Sequence, residues 1–142
     1  MKTLKVEFVE FIPELLSEGV LYISMKYKTA RHKCPCGCGN IVIMPITPTD
    51  WQLKYNGKGV TFSPSIGNWN FDCRSHYWII GNEIRWSGRW DQPQIDNNRQ
   101  ADKEKKEHYF DKNKRKDKHQ LWCQLVAYFN RFLDIASQAR RG

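Results

Sequence analysis

The chain has 142 residues, 40% of them hydrophobic, which suits one compact domain or one domain with an appendage. Its formal charge of +8 favours an acidic partner, such as nucleic acid, an acidic protein face or an anionic membrane. No apolar run approaches the length of a transmembrane helix, and Glu7 and Glu10 interrupt the first apolar stretch. We therefore expect no signal peptide, no membrane insertion and a cytoplasmic location.

The first ninety residues are predicted to be β-structure. Apolar residues alternate with polar ones in "LKVEFVEFI" and "GVLYISMKY", and "NIVIMPI" predicts a third strand. The turn sequences "NGKG", between "WQLKY" and "VTFSPS", and "GN", between "HYWII" and "EIRW", predict two hairpins. Six to eight short strands at this spacing predict a mainly β fold, a small antiparallel sandwich or partly rolled sheet.

The composition changes after Trp90. Residues 91–118 are polar and basic and predict a linker or an exposed helix. In residues 119–142 apolar side chains recur at three- and four-residue steps, which predicts an amphipathic helix. The sequence thus predicts three segments: a β-domain over 1–90, the polar segment over 91–118 and the C-terminal helix over 119–142.

Cysteines are concentrated in "HKCPCGCGN", which supplies Cys34, Cys36 and Cys38. Farther along, Cys73 and His76 stand in a Cys-x-x-His spacing. The two groups offer five ligands, one more than a tetrahedral zinc ion needs. The sequence therefore predicts that segment 1–90 is a zinc-binding β-domain, its sheet clamped by the ion, followed by the C-terminal α-helix. The spacing leaves open which four of the five bind.

Two other interpretations of the cysteines are disfavoured. An odd number of cysteines and a reducing cytoplasm argue against a disulfide framework. Buried free thiols or redox chemistry remain possible, but three cysteines beside Gly and Pro fit the first poorly. A closed, sulfur-rich ligand set also favours one structural zinc ion over a catalytic one, which keeps an open position.

Polar residues lie among aromatic ones in "FSPSIGNWNFDCRSHYW". Ser65, Asn68, Arg74 and Ser75 are candidates for contact with an anion or a partner. Alternatively, these side chains cap turns and orient the metal ligands. Arg74 lies between two proposed ligands and is the first choice for an anion contact.

Several blocks of the sequence resemble a family of small bacterial proteins, domain-of-unknown-function family 6527. The blocks are "GVLYIS", "HKCPCGCG", "TPTDWQL", "SPSIGNW", "CRSHYWI" and "IRW". The resemblance runs from about residue 4 to residue 90, and the tail after Trp90 is not covered. The combination of "CPCGCG" with "PSIGNW" and "CRSHYWI" is far more specific than a lone Cys-x-x-Cys.

The resemblance implies a metal-binding protein encoded beside bacterial relatives of ubiquitin-activating and ubiquitin-conjugating enzymes, in some cases within antiphage defence clusters. The family pattern falls on the five candidate ligands and on residues around them: Ser65, Asn68, Trp69, Arg74 and Ser75. Nothing in the residues themselves shows a link to ubiquitin-like transfer.

Three functions follow from these observations. The favoured one is a zinc-stabilised protein-interaction or accessory module, whose partner would be a ubiquitin-like protein or its conjugation enzymes. The second is nucleic-acid binding through the basic surface. The third is a zinc- or thiol-dependent enzyme in which a spare thiolate attacks the substrate. No catalytic residue is assigned, and the sequence leans against an enzyme.

Overall fold

A computed structural model describes the backbone of residues 2–138 and the side chains of residues 2–127. These residues form short strands followed by one long helix. The elements are β1 (Lys2–Thr3), β2 (Lys5–Phe8), β3 (Val20–Ser24), β4 (Thr29–Lys33), β5 (Ile41–Pro45), β6 (Gln52–Tyr55), β7 (Val60–Gly67), β8 (His76–Ile80), β9 (Glu83–Trp86) and α1 (Gln92–Gln138).

The strands form two sheets. One has the order β1-β9-β8-β7-β6, and the other has the order β2-β3-β4-β5. Strand β2 pairs in parallel with β3, whereas the other described pairs are antiparallel. Leu4, where the predicted first strand begins, separates β1 from β2; it is buried, and its amide donates to the Asn82 carbonyl at 2.8 Å. At this residue the chain passes from the five-stranded sheet to the four-stranded one.

Both sheets contribute to a single hydrophobic core. Leu21, Ile23 and Met44 come from the four-stranded sheet, and Phe62 and Ile79 come from the five-stranded sheet. Each of these side chains is at most 1% exposed, and burying one such side chain is worth about 1.5–3 kcal/mol. The predicted fold class, a mainly β domain with a C-terminal helix, is confirmed.

Both predicted hairpins are present. Strands β8 and β9 pair across Gly81 and Asn82, whose φ angles are 58° and 70°. Positive φ at both central residues defines a type I′ turn, and "GN" supplies the two residue types that tolerate it. Strands β6 and β7 pair on either side of "NGKG".

Strand β4 was absent from the sequence prediction. Its inward positions are Ala30 and His32, a small residue and an ionisable one, so "TARHK" carries no hydrophobic alternation. His32 is fully buried, and its Nε2 atom lies 2.7 Å from the Tyr77 hydroxyl. Burial lowers the pKa of His32 to about 4, so the ring is neutral at pH 7. Strand β4 leads directly into the cysteine-rich stretch.

Helix α1 begins with a reciprocal cap. The Asp91 carboxylate accepts from the Gln94 amide at 2.9 Å, and the Gln94 side-chain oxygen accepts from the Asp91 amide at 3.0 Å. This pattern satisfies two backbone donors at the helix start. Ile95, one residue later, is 2% exposed. The helix then continues to Gln138, through the polar segment 91–118 that the sequence predicts to be a linker or an exposed helix.

The chain divides into two compact units, the first ending at Asn97 and the second beginning at Asn98. In the second unit, Leu121, Trp122 and Leu125 are exposed, as expected for one helix described by itself. The rest of the predicted apolar stripe, from Phe129 onward, lies outside the described side chains. No described helical segment is long and apolar enough to cross a membrane.

Candidate active site and metal centre

Four of the five predicted ligands meet in one cluster. The Sγ atoms of Cys34, Cys36, Cys38 and Cys73 all lie within 4.8 Å of one another. The Cys34–Cys36 pair is separated by 3.3 Å, the Cys38–Cys73 pair by 3.6 Å and the Cys34–Cys73 pair by 4.0 Å. Sulfurs bound tetrahedrally at the usual zinc–sulfur distance stand roughly 3.8 Å apart. The cluster therefore has the size and donor chemistry of a tetrahedral metal site.

The first three cysteines are held by a tight backbone knuckle. The Cys34 amide donates to the Asn40 carbonyl at 2.8 Å, which closes the loop, and the Gly37 amide donates to the Cys34 carbonyl at 3.1 Å. Gly37 and Gly39 have φ angles of 90° and 79°, a region that side chains rarely adopt. The alternation of Cys with Gly thus lets three thiols converge within five residues.

Cys73 arrives from the loop between β7 and β8. The Arg74 amide donates to the Phe71 carbonyl at 2.9 Å, and Arg74 has a φ of 41°. This turn brings Cys73 over the knuckle, while the side chain of Arg74 stays exposed. The candidate metal centre therefore draws its four sulfurs from loops of both sheets.

The cysteine thiols differ in their surroundings. Burial raises the pKa of Cys34 and raises that of Cys36 to about 12. The pKa of Cys38 is lowered to about 6, chiefly by a hydrogen bond from the backbone of Asn40. The Asn40 side chain also donates to the Cys38 sulfur at 3.3 Å. Four thiols this close together lose their protons together only when a cation binds them, because the four negative charges would otherwise repel one another.

The fifth candidate ligand, His76, is not a member of this cluster. Its Nε2 atom lies 3.0 Å from the hydroxyl oxygen of Ser65. His76 opens β8 and pairs with Gly67, whereas Ser65 lies where the β7–β8 register shifts between Phe62 and Ile66. Such an irregularity re-aims a side chain relative to a regular strand. The fold thereby places a hydroxyl and an imidazole in hydrogen-bonding contact.

The imidazole of His76 is surrounded by indole rings. The ring centroids of Trp69, Trp78 and Trp90 lie 4.9, 5.6 and 4.6 Å from that of His76. Burial in this aromatic setting lowers the pKa of His76, and the backbone of Gly88 opposes the shift. The neutral ring, which can accept a proton, is consequently favoured at neutral pH.

The remaining predicted contact residues divide into two kinds. Asn68 and Ser75 are buried, and the side-chain amide of Asn68 donates to the Ser75 hydroxyl at 2.8 Å. The Ser75 oxygen is in turn 3.1 Å from the Cys34 sulfur. These two residues thus face the metal cluster, whereas Arg74 faces outward from its turn.

Sequence reasoning grouped Ser65 with anion contacts and His76 with metal ligands, and did not pair them. Their contact depends on the β7–β8 register and its irregularity, for which the residues give no direct signal. Trp90 was also missed, since it stood at the boundary where the composition changes. The alternation of "SPS" before the "SHYW" strand is the one feature that could have suggested facing side chains.

Comparison with known proteins gives one family. No curated protein and no solved structure matches the chain. Residues 8–87 match the family described as "Bacterial ubiquitination-like system serine protease (BubE)". This agrees with the ubiquitin-like conjugation context implied by the family resemblance, while the family number 6527 stays a prediction. Because the match covers more than half of the chain, and includes both the cysteine cluster and the Ser65–His76 pair, the protein belongs to the BubE family of bacterial ubiquitination-like systems.

Proposed function

We propose that this protein is a serine protease whose nucleophile is Ser65 and whose general base is His76. The observation that carries the proposal is the 3.0 Å contact between the Ser65 hydroxyl and Nε2 of His76. A serine hydroxyl needs an adjacent base to become a nucleophile, and this distance falls within the range for proton transfer. The family description supplies independent support, since it names a serine protease.

The reaction follows from these two side chains. His76 removes the Ser65 proton as the oxygen attacks the carbonyl carbon of a peptide or isopeptide bond, forming a tetrahedral intermediate. The protonated ring then gives its proton to the leaving amine, and an acyl-enzyme forms. Water, deprotonated by the same histidine, attacks the acyl carbon and releases the acid product and free Ser65. The lowered pKa of His76 keeps the ring in its proton-accepting form.

The histidine is oriented mainly by packing. Its Nδ1 atom is buried, and no described side chain forms a hydrogen bond with it. Trp69 and Trp90 stack with a centroid separation of 5.2 Å and an interplanar angle of 18°, forming a wall beside the imidazole. We therefore describe a serine–histidine dyad, in which packing against aromatic rings takes the orienting role that an aspartate has in a triad.

For the cysteine cluster, the proposed ion is one structural zinc, bound by Cys34, Cys36, Cys38 and Cys73. Four thiolates leave no open position for a substrate or water, so zinc would supply folding free energy and no step of the reaction. His76, which the sequence offered as a fifth ligand, is assigned to catalysis instead.

The proposed substrate is a polypeptide of a bacterial ubiquitination-like system, such as a ubiquitin-like protein or a conjugate of one. The family description supports protein partners of this kind. A cytoplasmic location and a role in antiviral defence are part of the same proposal. A purely non-catalytic interaction module would account for the cysteine cluster but not for the Ser65–His76 contact.

The nucleic-acid alternative depends on the helix. The positive charge of its lysines is partly compensated by neighbouring carboxylates. The Nζ atom of Lys103 lies 4.0 Å from a carboxylate oxygen of Glu107, and that of Lys105 lies 3.9 Å from one of Asp102. Exposed pairs of this kind are weak, but their acidic members dilute the positive field that phosphate binding requires. The described surface therefore favours the protease over a nucleic-acid arm.

Labelling with a fluorophosphonate, which modifies activated serines, tests the proposal without a known substrate. Wild-type protein should be modified at Ser65, as located by peptide mass spectrometry. His76→Ala should lower the labelling rate by at least about 100-fold, because the base is lost. Ser63→Ala is the matched control, since that serine is exposed on the same strand. Absence of labelling at Ser65 in folded, metal-loaded protein would refute the assignment.

A further inference from the structure

A buried polar pair lies between the cysteine cluster and the proposed catalytic histidine. Asn68 and Ser75 are 9% and 7% exposed, and Cys34 beside them is 3% exposed. Neither side chain is exposed to solvent, as a side chain that binds an anion at the surface would be. Buried polar side chains are retained at a cost unless their hydrogen bonds are satisfied, so their partners indicate their role.

The hydrogen bonds of these two side chains lead from Asn68 through Ser75 to the sulfur of Cys34. The Asn68 side-chain amide donates to the Ser75 hydroxyl oxygen at 2.8 Å. The Ser75 hydroxyl lies 3.1 Å from the Cys34 sulfur. A metal-bound thiolate can only accept, so the Ser75 proton must point at that sulfur, which leaves the oxygen to accept from Asn68. A bound metal ion would thus orient the Ser75 hydroxyl toward Cys34 and the Asn68 amide toward Ser75.

The same two residues close the hairpin that carries His76. The backbone amide of Asn68 donates to the backbone carbonyl of Ser75 at 2.9 Å. This bond lies one position beyond the last pair of the β7–β8 ladder, Gly67 with His76. Ser75 is the residue immediately before the histidine. A shift of the Ser75 backbone therefore moves the imidazole relative to Ser65, which lies on the neighbouring strand.

We propose that Asn68 and Ser75 are positioning residues, which transmit the geometry of the metal–cysteine cluster to the Ser65–His76 pair. This inference rests on the proposed function. It assigns to the metal centre a second role besides folding, since the cluster sets the hydroxyl–imidazole distance through Ser75. Nucleophile activation is sensitive to such placement, because a displacement near 1 Å can cost about 100-fold in rate.

The test uses the full-length, metal-loaded protein and the rate of fluorophosphonate labelling at Ser65. Ser75→Ala should lower that rate between about 10- and 100-fold while metal content stays at the wild-type ratio. Ser75→Thr, which keeps a hydroxyl at the same position, should restore most of the rate. Ser17→Ala removes an exposed serine elsewhere and should label like wild type.

A second variant and a spectroscopic measurement guard against simple misfolding. Asn68→Asp has nearly the same shape but cannot donate, so Ser75 turns toward the new carboxylate and away from Cys34. Its labelling rate should fall in the same range. The imidazole nitrogen resonances of His76 should change in both variants and return toward the wild-type positions in Ser75→Thr.

The outcomes separate the two proposals. Wild-type labelling rates and unchanged His76 resonances in Ser75→Ala and Asn68→Asp would overturn the positioning role and leave the dyad intact. Failure of the wild-type protein itself to label at Ser65 would overturn both. Loss of labelling that Ser75→Thr does not restore would reduce Ser75 to a packing residue and also overturn the positioning role.

Discussion

The indole of Trp69 lies directly over the backbone of Gly67. A Cβ atom added at Gly67 would stand 2.4 Å from the Nε1 and Cε2 atoms of that ring, a separation that real structures do not tolerate. The same indole packs against His76. Glycine at this position therefore allows the aromatic wall to approach the strand that carries Ser65.

Gly67→Ala should displace Trp69 and disturb His76, the proposed general base. We expect a loss of about 1–3 kcal/mol in the free energy of unfolding from overpacking, and a clear fall in fluorophosphonate labelling at Ser65. Chemical denaturation and labelling kinetics measure the two effects. In the double variant Gly67→Ala/Trp69→Leu the smaller side chain relieves the clash, so the two stability losses should be less than additive. Strict additivity would contradict the contact.

Cys73→Ser should abolish metal binding, because one of four sulfurs that bridge the two sheets is lost. We expect elemental analysis to fall from about one zinc per chain to a small fraction, with destabilisation above about 4 kcal/mol. Cys123→Ser is the control, since that exposed thiol lies on α1 outside the cluster. Full metal content in Cys73→Ser would show that Cys73 is not a ligand.

The pH dependence of labelling should report the lowered pKa of His76. The base acts only when neutral, so the rate should rise with pH and reach a plateau, with its midpoint below the ordinary histidine value of about 6.5. Metal content is measured at each pH, and only points with full occupancy are used. A midpoint above 6.5 would contradict the burial of the ring among the three tryptophans.

Asp91→Ala removes the N-terminal cap of α1. Losing the carboxylate that accepts from the Gln94 amide should cost about 0.5–2 kcal/mol and increase hydrogen exchange in the first helical turn. Asp111→Ala, an exposed mid-helix change, should have little effect on either measurement. Equal effects of the two variants would argue against the cap.

The hairpins were predictable, and the dyad was not, for a physical reason. Turns such as Gly81–Asn82 need positive φ angles that only a few residue types adopt, so the residue types predict the turn directly. The convergence of three cysteines beside glycines is local in the same sense. The meeting of Ser65 with His76 depends on the register of two strands and one irregularity between them, which the residues do not encode individually.

Strand β4 illustrates a different limit. Its inward residue His32 is ionisable, and Tyr77 on the other sheet supplies a hydrogen-bond partner for Nε2 at 2.7 Å, which offsets part of the cost of burying the ring. A partner 45 positions away cannot be read from a local pattern. His76 was assigned to the metal on spacing alone, because Cys-x-x-His is a common ligand pattern and the competing partner, Ser65, lies on another strand.

The route of the chain through the cysteine cluster has a consequence for how the molecule opens. Cys34 follows a strand of the four-stranded sheet, and Cys73 precedes a strand of the five-stranded sheet, 39 positions later. A bound ion would therefore cross-link the two sheets and close a long loop, as a disulfide does. Unlike a disulfide, this cross-link can be removed by a chelator or by an oxidant of the cysteines. Without the ion this link is lost, and the two sheets are then held together by the backbone and by the hydrophobic core that they share.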